Sequence, residues 1–573
     1  MLTKETREKY EKWLGYPGLC DDMKKELESI KGNDDEIAFR FKDEMSFGTA
    51  GIRGIMSAGT SKINIYTIQR ATQALADFIL RQGGGEIAIA YDTRNNSELF
   101  AKRSAAVLAA NGIKVHIFSL SCPTPELSFA VRRLKCIAGI NITASHNQKQ
   151  YNGYKVYYSD GAQIGPEQAE EISEIIDRTD IFEGVKTDSF DKLLSDGMIS
   201  YIPRSLDDEY LDCVLKQTVN KNAIADQPDM AVVYTPLHGT GRILVPEVLK
   251  RAGLKNLITV PEQMIPDGNF PTVSHPNPEF AESFSLGIEL AEKHGSDLII
   301  ATDPDADRMG VMVKRGDGSF VPLSGNQMGA LLLEYIITAY KLCGGLDKDA
   351  YAVKSIVSTE LASEICRVNG VKMYEVLTGF KYIGEVIKKH EEEGKGTYLL
   401  GFEESYGYLK GTYARDKDAV VASLLVCEMA AYYRSKGMTL YDAILEIYKK
   451  YGYYTEKTIS FEVTGIDAAE KLEKLMVRLR NDIPKTIGSE KVTAVRDYLA
   501  GTRTETESGK VMPTGLPQSD VLYFELGGSA VVVRPSGTEP KVKIYVMMKG
   551  KTEEDAREKE SSCEKDIVRM MGI

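Results

Sequence analysis

Ser145 stands in Thr143-Ala144-Ser145-His146-Asn147, directly after an apolar run from Cys136 to Ile142 that has the make-up of a buried strand. A hydroxyl at the end of such a strand can carry a phosphoryl group if a proton acceptor stands beside it. His146 is adjacent, and Lys155 follows Asn152-Gly153, a pair read as a tight turn. The same residues are rich in helix-capping types, so a cap for a following helix is the competing reading. His146 would serve equally well as a loop-stabilising hydrogen-bonder.

A second apolar run, Asp297 to Ala301, empties into Thr302-Asp303-Pro304-Asp305-Ala306-Asp307-Arg308. Carboxylates at alternate positions of a loop can converge on a hard, oxygen-liganded cation such as Mg²⁺, Ca²⁺ or Mn²⁺. An EF-hand is excluded, because its sixth position would need Gly where Arg308 stands and its twelfth Glu where Lys314 stands. A solvated acidic turn is the bland alternative. Arg308 argues against it, since a guanidinium beside three acids can fork onto a substrate phosphate.

Arg534-Pro535-Ser536-Gly537-Thr538 combines a guanidinium, two hydroxyls and a flexible backbone, which suits a phosphate cradle; a plain turn between strands is the alternative. Gly401-Phe402-Glu403-Glu404-Ser405 supplies acceptors fitted to vicinal sugar hydroxyls, and Thr378-Gly379-Phe380-Lys381-Tyr382 is a weaker signal of the same kind. Thr235-Pro236-Leu237-His238-Gly239-Thr240-Gly241 only grazes a dinucleotide fingerprint, with Leu244 at the third glycine position. No G-x-x-x-x-G-K-[ST] loop is present, so kinase chemistry of that type has no support.

The chain that must position these loops has 573 residues, which at roughly 150 residues per domain suggests about four domains. A formal net charge of −12 argues against nucleic acid or an anionic membrane as a main partner. Eight scattered cysteines without a C-x-x-C pair fit a reducing compartment, and no signal or membrane-spanning segment is read, so a cytoplasmic protein is expected. Residues Glu5 to Ser29 read as one amphipathic helix. Beyond Asp43, apolar strands and helices alternate in the α/β manner, with strands at Glu86–Tyr91, Val115–Leu120, Met230–Tyr234, Ala352–Val357 and Thr397–Leu400. A last unit pairs Ile459–Val463, Ala530–Arg534 and Lys541–Met548 with helices. Boundaries are placed at 1–202, 203–320, 321–456 and 457–573. Each unit then carries one polar or Gly-rich loop after an apolar strand, where open α/β sheets bind ligands.

These loops, in this order, resemble the α-D-phosphohexomutase family of phosphoglucomutases and phosphomannomutases. The likeness spans nearly the whole chain, from Phe47–Gly54 through Tyr91-Asp92-Thr93-Arg94, Thr143–Asn147, Asp303–Arg308, Thr378–Tyr382 and Glu403–Ser405 to Arg534–Thr538. It implies three similar α/β sandwich domains and a C-terminal α+β domain around a central cleft. It implies an intramolecular phosphotransferase of the isomerase class, acting on hexose phosphates through a phosphoserine at Ser145 and a 1,6-bisphosphate intermediate, with glucose 1,6-bisphosphate as activator. By the same resemblance, Asp303, Asp305, Asp307 and a phosphoserine oxygen bind Mg²⁺, while Arg53 and Lys155 flank the transferring group. Glu403 and Ser405 bind sugar hydroxyls. Arg308, Thr378 and Gly379 join the substrate site, and Arg534, Ser536, Gly537 and Thr538 hold the phosphate not being transferred.

The chain departs from the family pattern in two places. Gln148 stands where Pro is common, and Tyr406-Gly407-Tyr408 replaces a Gly-His after the sugar loop. Lys417 resembles the lysine that phosphoglucomutase-like members use as the second acid/base. The Glu403-Glu404-Ser405-Tyr406-Gly407 form leans toward glucose over mannose or pentose phosphates. A non-catalytic sugar-phosphate binder would be expected to have lost Ser145 or an Asp, and both are intact. The sequence leaves monomer and dimer both open.

Overall fold

Two runs of β-structure with helical cover make up each of the two bodies into which the chain divides. The computed structural model describes residues 2–463, 468–535 and 541–571. The first body holds Met1–Pro322, Ile387–Glu392 and Gly407–Tyr432; the second holds Leu323–Val386, Glu393–Tyr406 and Tyr433–Ile573.

In the first body a six-stranded sheet runs in the order Ile52–Ile55, Tyr151–Tyr158, Ala138–Ile142, Glu86–Tyr91, Lys114–Ile117, Ile199–Tyr201. Glu86–Tyr91 is parallel to both of its neighbours, and its run of β-branched and small apolar residues is buried on both faces, as parallel strands require. Helices Ile65–Arg81 and Ser97–Ala110 contribute Ile68, Leu75, Ile79, Phe100 and Leu108 to the core over this sheet. A second sheet places Met309–Lys314, Leu298–Thr302, Ala231–Thr235 and Asn256–Thr259 side by side in that order. Leu298–Thr302 and Met309–Lys314 pair antiparallel, so the acidic loop is the tip of a hairpin.

The second body contains three parallel strands, Lys372–Val376, Ala350–Ser355 and Thr397–Glu403, under the helix Gly325–Leu342. It also contains a seven-stranded sheet from Tyr453–Glu462 through Lys541–Gly550 and Ala530–Pro535 to Val511–Pro513, with antiparallel pairing throughout. One face of that sheet packs under Leu475, Met476, Cys563 and Ile567 of two helices. On the other face, Tyr523, Val532 and Tyr545 share a core with Ile356, Val357 and Leu377.

Most expected elements are found within a few residues of their places, and three readings are corrected. The single helix over Glu5 to Ser29 is two helices, Lys4–Leu14 and Asp21–Ser29. Pro17 between two glycines interrupts the amide ladder there, because proline cannot donate to it. No helix follows Ser145, so the capping reading fails; the loop joins Ala138–Ile142 to its antiparallel partner Tyr151–Tyr158. Asn152-Gly153 is not a turn but lies within that partner strand, where Gly153 faces Arg53 of the edge strand. A Cβ at Gly153 would stand 2.5 Å from the Thr143 carbonyl oxygen and 2.7 Å from that of Ile52. Glycine is there because two backbones close on it, not because the chain bends. Among the described residues no helix is long and apolar enough to cross a membrane.

Candidate active site

Ser145 is nearly sealed from solvent and sits in the left-handed region at φ 52°, a conformation that side-chain-bearing residues adopt at a cost. Neighbouring groups hold it there. Its amide donates to Thr143 Oγ1 at 2.8 Å, and the Thr143 hydroxyl donates to Asp92 Oδ2 at 2.6 Å. Arg94, paired with Asp92, donates to the Ser145 carbonyl, to that of Asn147 at 2.5 Å and to that of Gln148 at 2.9 Å. One buried guanidinium therefore gathers successive carbonyls of the loop and aims the hydroxyl. Gln148, at the family's proline position, is tied instead through its side-chain amide to His275 at 2.9 Å.

The Ser145 hydroxyl donates to Asp303 Oδ2 at 2.7 Å and lies 3.1 Å from His146 Nδ1. Burial, with Arg308 and Arg53 nearby, holds the His146 imidazole well below its ordinary pKa, so the ring is neutral. Arg53 donates to Asn147 Oδ1 at 3.0 Å, which brings its guanidinium to the same loop.

Asp303, Asp305 and Asp307 are buried, and one carboxylate oxygen from each lies within 4.8 Å of the others. The Asp307 and Arg308 amides donate to Asp303 Oδ1 at 3.1 and 3.0 Å, folding the hairpin tip inward. Asp305 Oδ2 accepts from Thr124 Oγ1 and from Lys155 Nζ, each at 2.8 Å. Burial opposes ionisation of Asp305, but Lys155 and these hydrogen bonds outweigh it and depress its pKa. Asp303 is pushed the other way by burial and by its two acidic neighbours. Burial likewise opposes the charge on Lys155, and Asp305 with Asp307 more than offsets that, so its ammonium is retained.

The donor set fits a hard cation. Asp305 Oδ1 and Asp307 Oδ1 are buried without a hydrogen-bond partner, a costly arrangement for carboxylates in a protein interior. Three buried carboxylates with two orphaned oxygens and a serine hydroxyl among them make an all-oxygen site able to bind a metal ion.

Lys417 closes the group, with Nζ 3.2 Å from Asp307 Oδ2 and 3.1 Å from Asp416 Oδ1. Asp416 is in turn held by Tyr157 at 2.8 Å and Gln163 at 3.1 Å. Arg308 is ion-paired to Glu279 at 2.6 Å. The first body thus brings together Ser145, His146, Arg53, Lys155, the three aspartates, Arg308 and Lys417.

The second body carries the remaining candidates. Glu403 ends the strand Thr397–Glu403 and accepts from the Gly379 amide at 2.7 Å, which puts Thr378-Gly379 against it. Ser405 follows Glu404, whose carboxylate takes the Ser355 hydroxyl at 3.0 Å and whose pKa burial and Glu403 push up to about 7. Arg534 lies in the strand Ala530–Pro535; Ser536, Gly537 and Thr538 lie outside the described residues.

Family models for the four phosphoglucomutase/phosphomannomutase domains match in order: the alpha/beta/alpha domains I, II and III at residues 44–181, 208–316 and 324–451, and the C-terminal domain at 477–564. The chain belongs to the phosphoglucomutase/phosphomannomutase family. It is 36% identical over 509 residues to a phosphoglucomutase of Staphylococcus saprophyticus, covering 88% of this chain and 90% of that one. It is 37% identical over 520 residues to a phosphoglucomutase of Staphylococcus aureus strain MRSA252, covering 91% and 92%. Among solved structures, the open form of the Paramecium phosphoglucomutase parafusin superposes with a TM-score of 0.67 at 18% identity, over 92% of this chain and 96% of that one. The four-domain α/β architecture is therefore that of the family.

Several members of this site escaped the reading of the sequence as functional residues. Asp92 and Arg94 entered only as part of a shared motif, although they set the serine loop. Thr124, at the start of the helix Thr124–Arg133, grips Asp305 from elsewhere in the phosphoglucomutase/phosphomannomutase fold, and no local spacing announces it. Asp416, beside Lys417 in Arg415-Asp416-Lys417-Asp418, was the one with a visible signal, an acid next to a candidate proton carrier.

Proposed function

We propose that this chain is a phosphoglucomutase interconverting glucose 1-phosphate and glucose 6-phosphate, with phospho-Ser145 as donor and glucose 1,6-bisphosphate as the bound intermediate. The observation that carries the reading is the Ser145 hydroxyl, held at a strained backbone position and donating to Asp303 at 2.7 Å. Phosphoryl transfer asks mainly for positioning and charge neutralisation. Asp303, Asp305 and Asp307 would hold Mg²⁺, which when bound supplies a Lewis acid against the charge of the transferring phosphoryl group. Arg53 and Lys155 add positive charge from the protein. Lys155 and Lys417, each held between two carboxylates, are assigned to move the protons of the reacting hydroxyls. Neutral His146 orients the Ser145 oxygen.

The sugar turns end for end between two transfers, and its other phosphate then returns to Ser145. Glu403 and Ser405 are assigned to the sugar hydroxyls with Thr378-Gly379 beside Glu403, Arg308 to the substrate, and Arg534 with Ser536-Gly537-Thr538 to the distal phosphate. Eight unpaired cysteines suit a reducing cytoplasm. The test is intact mass before and after incubation with glucose 1,6-bisphosphate, followed by peptide mapping. One phosphate on the peptide containing Ser145, and none in Ser145→Ala, is expected; full turnover in Ser145→Ala overturns the scheme. Rates with glucose, mannose and ribose 1-phosphates in a coupled assay decide among the related mutase activities.

A further inference from the structure

The segment Thr235–Gly241, between the strand Ala231–Thr235 and the helix Gly241–Arg251, has no part in the chemistry above. It nonetheless holds two consecutive left-handed residues, Leu237 at φ 48° and His238 at φ 63°. Leucine adopts this conformation only at a cost, and two such residues in succession need something to hold them there.

His238 is 1% exposed and is engaged through both ring nitrogens: Nδ1 lies 2.8 Å from the Ile265 carbonyl oxygen and Nε2 2.9 Å from Thr272 Oγ1. A carbonyl only accepts, so Nδ1 carries the proton. Gln263 Nε2 donates to Thr272 Oγ1 at 2.9 Å, which leaves the Thr272 hydrogen for His238 Nε2. Gln263 also accepts, through Oε1, the Thr235 hydroxyl at 2.5 Å and, through its carbonyl, the His238 amide at 2.9 Å. Both ring nitrogens of His238 and both ends of the Gln263 side-chain amide are thereby engaged.

The residues that follow meet the acidic hairpin tip. The Thr240 amide donates to the Pro304 carbonyl at 2.9 Å. A Cβ on Gly239 would stand 2.5 Å from Pro304 Cα and 2.8 Å from its oxygen. From the opposite side, Thr124 takes Asp305 by its carbonyl and its carboxylate, each at 2.8 Å. Three buried carboxylates repel one another, so a hairpin tip carrying them relaxes apart unless its backbone is clamped.

We propose that His238 is a positioning residue for the carboxylate triad: by locking Leu237–Thr240 it fixes Pro304, and so the placement of Asp303 and Asp305 for a divalent cation. The inference rests on the metal reading of the triad. Groups outside the coordination sphere that orient ligands typically change metal affinity about 10–100-fold when removed.

The test is calorimetric titration of Mg²⁺, and Mn²⁺ binding followed by electron paramagnetic resonance, on the full chain. His238→Ala is expected to lose on the order of 10–100-fold in affinity. His238→Asn, which can restore the bond to the Ile265 carbonyl, should recover much of that loss. Thr272→Val keeps the side-chain volume and removes one link, so a smaller loss is expected, and it remains informative if His238→Ala fails to fold. At saturating Mg²⁺, KM for the sugar phosphate should stay within about twofold, which general loosening of the fold would not produce. Folded His238→Ala and Thr272→Val proteins that titrate like the wild type overturn the inference alone. A wild-type chain that takes up neither ion overturns the metal reading, and the inference with it.

Discussion

At the scale of single residues, the site depends on buried groups that hold reactive ones in otherwise unfavourable states. Arg94 is the clearest case, since it ties the carbonyls of residues 145, 147 and 148 to one guanidinium. Arg94→Lys keeps the charge but loses the fork. A kcat fall of about 10²-fold is expected, with Mg²⁺ affinity little changed, because a small displacement of a transferring group is costly; wild-type kcat would count against this role. Glu404 supplies a pH prediction. Burial and Glu403 raise its folded pKa from 4.5 to about 7, so the folded chain keeps a proton that the unfolded chain has lost between those values. Its ionisation therefore costs stability progressively as pH rises from about 4.5 through 7, by at most about 3 kcal/mol. Glu404→Gln should be more stable than the wild type at pH 8, and the gap should close by pH 5, as read by urea unfolding at both values. The cradle assignment is tested by Arg534→Ala, which should raise KM more than it lowers kcat.

At the scale of elements, function hangs on hairpins and edge pairings more than on helix ends. Tyr151–Tyr158 carries Lys155 into the site because it pairs with Ala138–Ile142 on one side and Ile52–Ile55 on the other, which also brings in Arg53. Gly153→Ala would push a methyl group into two backbone carbonyls. A stability loss of about 2–4 kcal/mol is expected by thermal unfolding, accompanied by lost activity. Much of this level was legible in the sequence, and its failures have physical causes. The strand Glu86–Tyr91 and the helix Ile65–Arg81 announce themselves by apolar runs and period. Asn-Gly looks like a turn because local preference is all a sequence displays; Gly153 is explained only by a partner strand that arrives from residues 52–55. Pro17 marks the N-terminal break in the sequence, but amphipathic spacing continues on both sides of it and masks the break.

At the scale of the whole molecule, the second body is bound internally by a chain of ion pairs. Lys354 meets Glu375 at 3.2 Å, Glu375 meets Arg496 at 2.8 Å, Arg496 meets Glu525 at 2.6 Å, and Glu525 meets Arg503 at 2.7 Å. It links the parallel strands Ala350–Ser355 and Lys372–Val376 to the antiparallel C-terminal sheet beside their shared apolar core. Arg496→Leu takes one partner from each of two acids, Glu375 and Glu525, which keep Lys354 and Arg503, so a loss of about 1–3 kcal/mol is expected. A clear fall in Tm is expected on thermal unfolding, and an unchanged Tm would count against the network's role.

Taken alone, the sequence determined the family and the candidate side chains: a serine after a buried strand, alternate aspartates at another strand's end, lysines nearby, and a motif order shared along the chain. Those signals are local, since strand periodicity and loop composition are written in neighbouring residues. Only the tertiary structure decided that Ser145 reaches Asp303, that Thr124 and Thr240 hold the acidic tip from two sides, and that Arg94 arches the serine loop. Such contacts join residues as much as 181 positions apart, as Thr124 and Asp305 are. Partners so distant leave no mark on local pattern, because their pairing is set by how buried backbones close on one another.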